Sequence, residues 1–158
     1  ATPAAPTATG ADPTSAATAA LPDLPPFTTA VAQLVDKRGD GRPLAVYVAD
    51  EPAERARGLM NLDALPTDSG MVFAFPDDHR GGFYMKDTRI PLSIAFFDAG
   101  GEVLAVLDMT PCRKDPCEIY DPGVAYRGAL EVPAGYFDTV GLEPGWTVRT
   151  TPTPLPAS

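Results

Sequence analysis

The groups with chemistry to offer in this chain are few: two cysteines, four methionines, one histidine, and a handful of charges set inside apolar sequence. Cys112 and Cys117 stand in the run Pro-Cys-Arg-Lys-Asp-Pro-Cys. A disulfide between them closes a small loop around Arg113, Lys114, Asp115 and Pro116, and by chain entropy contributes about 2 kcal/mol. That is enough to hold a long loop in one shape. The alternatives are a thiol-redox pair or a metal centre. Redox motifs space their cysteines more closely and place them at a helix start, and neither feature is present here. His79 is the only histidine, and with Cys112 and Cys117 it falls short of the roughly four ligands zinc requires. A copper(I) site of soft sulfur ligands drawn from Met60, Met71, Met85 or Met109 with the cysteines is the remaining metal chemistry. Against it, Met71 and Met109 occupy apolar strand positions and read as core. No metal ligand and no cofactor is assigned.

The second chemical feature is Met85-Lys86-Asp87-Thr88-Arg89-Ile90-Pro91-Leu92, which puts charge directly after the aromatic pair Phe83-Tyr84. In an extended strand Lys86 faces away from Met85, so one of the two points toward a core. Glu131 and Asp108 likewise stand inside apolar strands, and Arg57 precedes the Gly58-Leu59-Met60 turn. Charges so placed pair when partly buried, which suggests Arg57 or Lys86 against Glu131 or Asp108. They serve either as a structural ion pair or as the wall of a cleft for a small polar molecule. The candidate ligand-binding residues are therefore Arg57, Met60, Tyr84, Met85, Lys86, Asp87 and Glu131. No phosphate-binding loop and no nucleophile elbow is present. A hydrolytic triad would have to recruit His79 from an Asp- and Gly-rich loop, a poor support for a general base. Twenty-one acidic residues allow many carboxylate pairs, and spacing selects none of them. No catalytic residue is assigned, and the balance leans away from an enzyme.

The elements that must position these groups are mostly strands. Residues 28–36 and 42–50 alternate apolar and polar around Lys-Arg-Gly-Asp-Gly and predict a hairpin. Asp50-Glu51-Pro52 caps a short helix to about Asn61, with Ala53, Ala56, Arg57 and Met60 at helical spacing. Met71 to Phe75 is a strand stopped by Pro76, and Phe83 to Asp87 is another. Leu92 to Asp98, apolar on both faces, predicts an interior strand that turns at Ala99-Gly100-Gly101 into the antiparallel strand Glu102 to Met109. A loop from Thr110 to Gly123 carries both cysteines. Then come a strand from Val124 to Val132, a short helix over 133–140, and a last strand from Trp146 to Thr150. About eight short strands and two short helices predict a mainly β (α+β) domain: a compact antiparallel β-barrel-like structure, closed or nearly so. No internal repeat is visible.

Of the nineteen prolines in 158 residues, many lie at the two ends. Residues 1–26 are nearly all Ala, Thr and Pro and read as a disordered tether. Residues 27–151 read as one domain, and residues 152–158 as a disordered tail. From Ala1 onward no signal peptide is recognisable, as expected of a processed exported protein or of a cytoplasmic one. An Ala/Thr/Pro spacer followed by a cysteine pair predicts an extracytoplasmic protein, secreted or tethered at the cell surface, reaching a membrane only through an N-terminal anchor removed or absent here. No apolar run approaches the length of a bilayer span. A net charge of −9, with the twelve basic residues scattered, argues against nucleic-acid or anionic-membrane binding. A monomer is the expectation.

Several motifs recur together in one order: Gly58-Leu59-Met60, Gly70-Met71-Val72-Phe73-Ala74-Phe75, the run from Phe83 through Phe96, Pro111-Cys112 with Pro116-Cys117 and Tyr120, and Ala129 through Gly135. Over about Val46 to Val148 the chain resembles the prokaryotic family known as domain of unknown function 192. The resemblance implies a compact β-rich domain, often exported or tethered, and carries no activity with it. Relatives commonly have Trp where Tyr84 stands, Asn where Asp87 stands, and an arginine shortly after the methionine of the Gly-Leu-Met turn, where this chain has Asn61-Leu62. A site shaped by those residues would be altered and more acidic here. The expected role is binding of a small ligand or a protein partner, with a copper or thiol-redox protein, or an enzyme of unknown reaction, as the alternatives.

Overall fold

Strand alternation sorts the apolar residues of this chain into two cores, one on each face of a single sheet. The computed structural model describes residues 21–152, so the tether reading of residues 1–20 and the tail reading of 153–158 lie outside the described residues. Nine strands and two helices follow one another: β1 (Thr28–Val35), β2 (Gly41–Ala49), α1 (Pro52–Arg57), β3 (Ser69–His79), β4 (Phe83–Tyr84), β5 (Leu92–Phe97), β6 (Val103–Met109), β7 (Ile119–Tyr120), β8 (Tyr126–Pro133), α2 (Tyr136–Val140) and β9 (Thr147–Pro152). Seven strands form one sheet in the order β6-β5-β8-β3-β2-β1-β9, and β4 pairs with β7 in a separate two-stranded sheet.

The fold is mainly β, as the strand pattern predicts, but the sheet is not closed into a barrel and not wholly antiparallel. β2 and β3 pair in parallel, Ala45 opposite Ser69 through Ala49 opposite Phe73. A parallel neighbour needs a crossover, and α1 with the loop after it supplies one. The edge strands β6 and β9 touch only at their starts, through the bridge Glu102–Thr147. There Val103 N–H donates to Trp146 C=O at 2.7 Å and Val148 N–H to Gly101 C=O at 2.7 Å. Gly101 (φ +88°) makes this approach possible, since a Cβ there would lie 2.3 Å from the Val148 carbonyl oxygen.

One face of the sheet carries Ala30, Leu34, Leu44, Val46, Val72, Leu130 and Val132, covered by Phe137 of α2. The other carries Tyr47, Met71, Phe73, Ile94, Phe96 and Ala129, with Leu59, Met85 and Met109 packed in.

Local departures from the sequence expectations have local causes. β3 does not stop at Pro76 but runs on to His79, across a register shift against β8 between Ala74 and His79. A proline fits where the ladder is already interrupted. β4 ends at Tyr84 instead of reaching Asp87, because Met85–Thr88 folds into a turn closed by Thr88 N–H to Met85 C=O at 3.1 Å, with Asp87 left-handed at φ +54°. β7 lies within the loop after β6 and has only two residues to signal it. β9 extends to Pro152, which pairs with Ala30, one residue beyond the expected domain end. Composition places residues 21–26 in the tether, yet they lie on the domain: Leu21 and Leu24 pack against the aromatic core, and the Tyr47 hydroxyl donates to Pro22 C=O.

Candidate functional site

The site is built around Glu131. It stands midway along β8, between β3 and β5, with Met71 and Ile94 directly opposite on its two neighbours. Residues opposite one another on adjacent strands share a face, so Glu131 projects with Met71 and Ile94 into the aromatic side, while Leu130 and Val132 serve the aliphatic side. Its side chain is 5% exposed. No hydrogen bond or ion pair engages it among the described residues. Burial alone pushes its carboxyl up to about 8, because removing a carboxylate from water without a partner disfavours the charged form.

Glu131 opens onto a cavity of about 450 Å³. Its walls are Phe73 and Phe75 from β3, Phe83 and Tyr84 from β4, and Ile119 from β7, with Arg55, Arg57, Leu59 and Met60 from α1 and the turn after it. Phe83 meets Phe73 edge-on at 5.0 Å between centroids, and His79 stacks on Phe75 at 4.3 Å. Behind this layer, Tyr126 packs on Phe96 at 4.7 Å and donates its hydroxyl to Gly81 C=O at 2.8 Å. Burial first and Asp121 second raise that phenol to about 12. Helix α1 is set by Glu54, whose carboxylate accepts the N–H groups of Asp50 and Glu51, each at 3.2 Å. It ends at Gly58 (φ +50°), where a Cβ would lie 3.2 Å from the Phe73 ring.

The two motif segments flanking the cavity are tied to each other. Asn61 N–H, in a left-handed residue at φ +67°, donates to Asp87 C=O at 2.7 Å, joining the Gly-Leu-Met turn to the Met-Lys-Asp-Thr turn. Of the seven residues singled out in the sequence, Arg57, Met60, Tyr84 and Glu131 line the cavity. Met85 is buried in the core instead, 2% exposed, and Lys86 and Asp87 are exposed on the turn and not part of the lining, to which that turn contributes Thr88.

The expected ion pairs do not form. Arg57 donates from Nη1 to Pro25 C=O at 3.1 Å and lies 5.3 Å from the Phe27 ring centroid, while Asp108 accepts from the Ser93 hydroxyl at 2.7 Å. Arg55, which sequence reasoning passed over, is held likewise: its Nη1 donates to the carbonyls of Asp50 (2.7 Å) and Ala74 (2.9 Å), and the guanidinium sits 5.2 Å from the Phe75 centroid. The alternation Met71, Phe73, Phe75 was the signal for two further wall residues, whereas nothing in the sequence marks Ile119.

Cys112 and Cys117 are joined in a disulfide with an S–S distance of 2.04 Å, so their sulfurs are committed to one another. The pair lies just before β7, which lays Ile119 against Tyr84 at the mouth of the cavity. Met71, Met85 and Met109 are core residues, and Met60 is half-buried on the cavity wall.

A mixed, mostly antiparallel sheet with one filled face, and on the other a buried acid beneath an aromatic cavity, defines a small β-rich domain. The chain belongs to the family described as "Uncharacterized ACR", domain of unknown function 192, whose pattern matches residues 34–150. Two solved structures share the fold. A protein from Sinorhizobium meliloti 1021, described as "a putative transcription regulator", is 26% identical, with a TM-score of 0.73 over 78% of this chain and 95% of that one. A protein of unknown function from Novosphingobium aromaticivorans DSM 12444 is 25% identical, with a TM-score of 0.71 over 85% of this chain and 96% of that one. No curated protein matches the sequence.

Proposed function

We propose that this protein is an extracytoplasmic binding domain whose site is the cavity over Glu131. The observation that carries the reading is a carboxyl buried in the middle of a central strand, without a partner and facing open volume. An unpartnered buried polar group destabilises the fold, and an apolar side chain at that position would pack in its place. The cavity volume lies in the range of small-molecule sites, and its walls are aromatic and apolar with a few polar groups, the usual composition of such sites. Extracytoplasmic location is supported by the disulfide, a bond that persists in oxidising compartments. Among the described residues no helix is long and apolar enough to cross a membrane. The regulator description of the S. meliloti protein is not extended to this chain, because a net charge of −9 disfavours contact with nucleic-acid phosphates.

The test is a thermal-shift screen of metabolites against the wild type and a cavity-blocking Met60→Trp variant. A ligand for the cavity raises the melting temperature of the wild type by mass action and leaves the variant unmoved. Shifts of equal size in both proteins, or none in either, would remove the cavity from consideration as the site.

A further inference from the structure

We propose that the cavity binds a small zwitterion of the amino-acid kind, its ammonium paired with the Glu131 carboxylate at the inner end and its anionic group turned outward to Arg57 and Arg55. The inference rests on the ligand-binding reading above and names the class of ligand.

Three observations converge on it. Glu131 is buried and partnerless while Arg57, on the same lining, is exposed, so the cavity has an acidic inner end and a basic outer one. Neither arginine neutralises the acid. Both are drawn onto backbone carbonyls and aromatic rings, Arg55 onto Asp50, Ala74 and Phe75 and Arg57 onto Pro25 and Phe27, and among the described residues neither has a carboxylate partner. Each guanidinium is therefore fixed in place with N–H donors remaining for an anion. The walls between the two ends are the rings of Phe73, Phe83 and Tyr84, whose faces attract an ammonium through the ring quadrupole. A purely cationic ligand would leave the arginines at the outer end without an anion, and a purely anionic one would leave Glu131 at the inner end without a cation to pair with. A molecule with one charge of each sign, in that order, satisfies both.

The proposal has a proton balance that a neutral ligand lacks. Burial keeps Glu131 protonated near neutral pH, so seating an ammonium there requires the carboxyl to release its proton to the buffer and take up the cation as an ion pair. Arg55, Arg57, His79 and Tyr84 are the other titratable groups on the lining.

The experiment is isothermal titration calorimetry on the full chain at neutral pH, in buffers of different ionisation enthalpy. β-Alanine, γ-aminobutyrate and ε-aminocaproate are compared with butylamine, butyrate and butanol. At least one of the amino acids is expected to bind about tenfold or more tighter than butanol and butyrate, releasing close to one proton per site. Glu131→Gln abolishes both the preference and the release while keeping the wild-type circular dichroism spectrum. Lys86→Gln, on the exposed turn outside the lining, retains both, and Arg57→Gln brings the amino acid down to the level of butylamine. Butanol binding as well as the amino acids, or binding without proton release, overturns the inference. So does a panel that fails entirely, and the thermal-shift screen then separates the two readings: a different cavity ligand leaves the binding reading standing, and none removes both.

Discussion

The two faces of the central sheet are made by the same strands at alternating positions, yet they are finished differently. On the aliphatic face, Leu34, Leu44, Val46, Leu130 and Val132 close against one another and against α2 without a charged side chain. On the aromatic face, the position between Ala129 and Pro133 that alternation reserves for an apolar residue is Glu131, and the space above it is left open. A dry core gains from burial of each methylene and from close packing. The aromatic face gives up part of that gain around a group whose charged form is disfavoured there. The comparison separates the half of the domain that specifies the fold from the half that the same strands hold open.

The largest effect expected from breaking this difference is at Glu131. Between its ordinary value of 4.5 and its folded value of about 8, the native protein holds a proton that the unfolded chain has released. Stability is therefore fully present below the lower value and falls as pH rises through the window, by up to about 1.4 kcal/mol per pH unit. Glu131→Gln installs a neutral isostere and removes the slope, so the variant should be more stable than wild type by on the order of 4 kcal/mol at the alkaline end of the window. Near the acid end the two should match. Urea midpoints measured across the window decide it, and parallel slopes would mean that Glu131 does not titrate as the buried acid described.

Next in size is a cavity made on the filled face. Leu44→Ala removes a fully buried side chain and should cost about 3 kcal/mol in urea unfolding. Tyr84→Ala at the cavity mouth, where the ring is 47% exposed, should cost less than about 1 kcal/mol. Equal losses would show the two faces to be equally packed and the contrast between them to be false.

Much of this is legible in the sequence. Met71, Phe73 and Phe75 alternate with Val72 and Ala74, which is the division of β3 between the two cores, and the β5–β6 hairpin announces itself by two apolar runs around Ala99-Gly100-Gly101. Glu131 stands out as the charge in Ala-Leu-Glu-Val-Pro. What it pairs with is not local information. The position of Arg57 is decided by Pro25 and Phe27, and Pro25 lies in a segment whose composition reads as tether. The mixed character of the sheet is hidden for a similar reason: the parallel β2–β3 pairing depends on the crossover through α1, which no period in the strands records. Short strands such as β4 and β7 have no period to read.

The disulfide provides a third and smaller test. It belongs to the aromatic half, where Cys112 packs against the core, and staples the loop that leads into β7. Replacing both cysteines by serine should cost about 2 kcal/mol, with amide exchange rising in β4 and β7 and protection of β1 and β2 retained up to global unfolding. Faster exchange spread evenly over both faces would show that the staple supports the whole sheet instead of the cavity wall.

The smallest effect is expected at Asp87, and it bears on how the charged run should be understood. As a sequence, Met-Lys-Asp-Thr looks like a site, and an aspartate where relatives commonly have asparagine looks like a change of ligand chemistry. In the structure Asp87 is an exposed turn residue at φ +54° whose carbonyl accepts the Asn61 N–H. Asparagine and aspartate are the non-glycine residues that best tolerate the left-handed region, whereas a β-branched residue there is strained. Asp87→Asn should therefore shift stability by no more than about 0.5 kcal/mol and leave any thermal shift from a cavity ligand unchanged. Asp87→Val should cost about 1–2 kcal/mol through the backbone alone. If Asp87→Asn instead alters ligand response without altering stability, the turn takes part in recognition, and the boundary of the site has to be drawn outward from the cavity to include it.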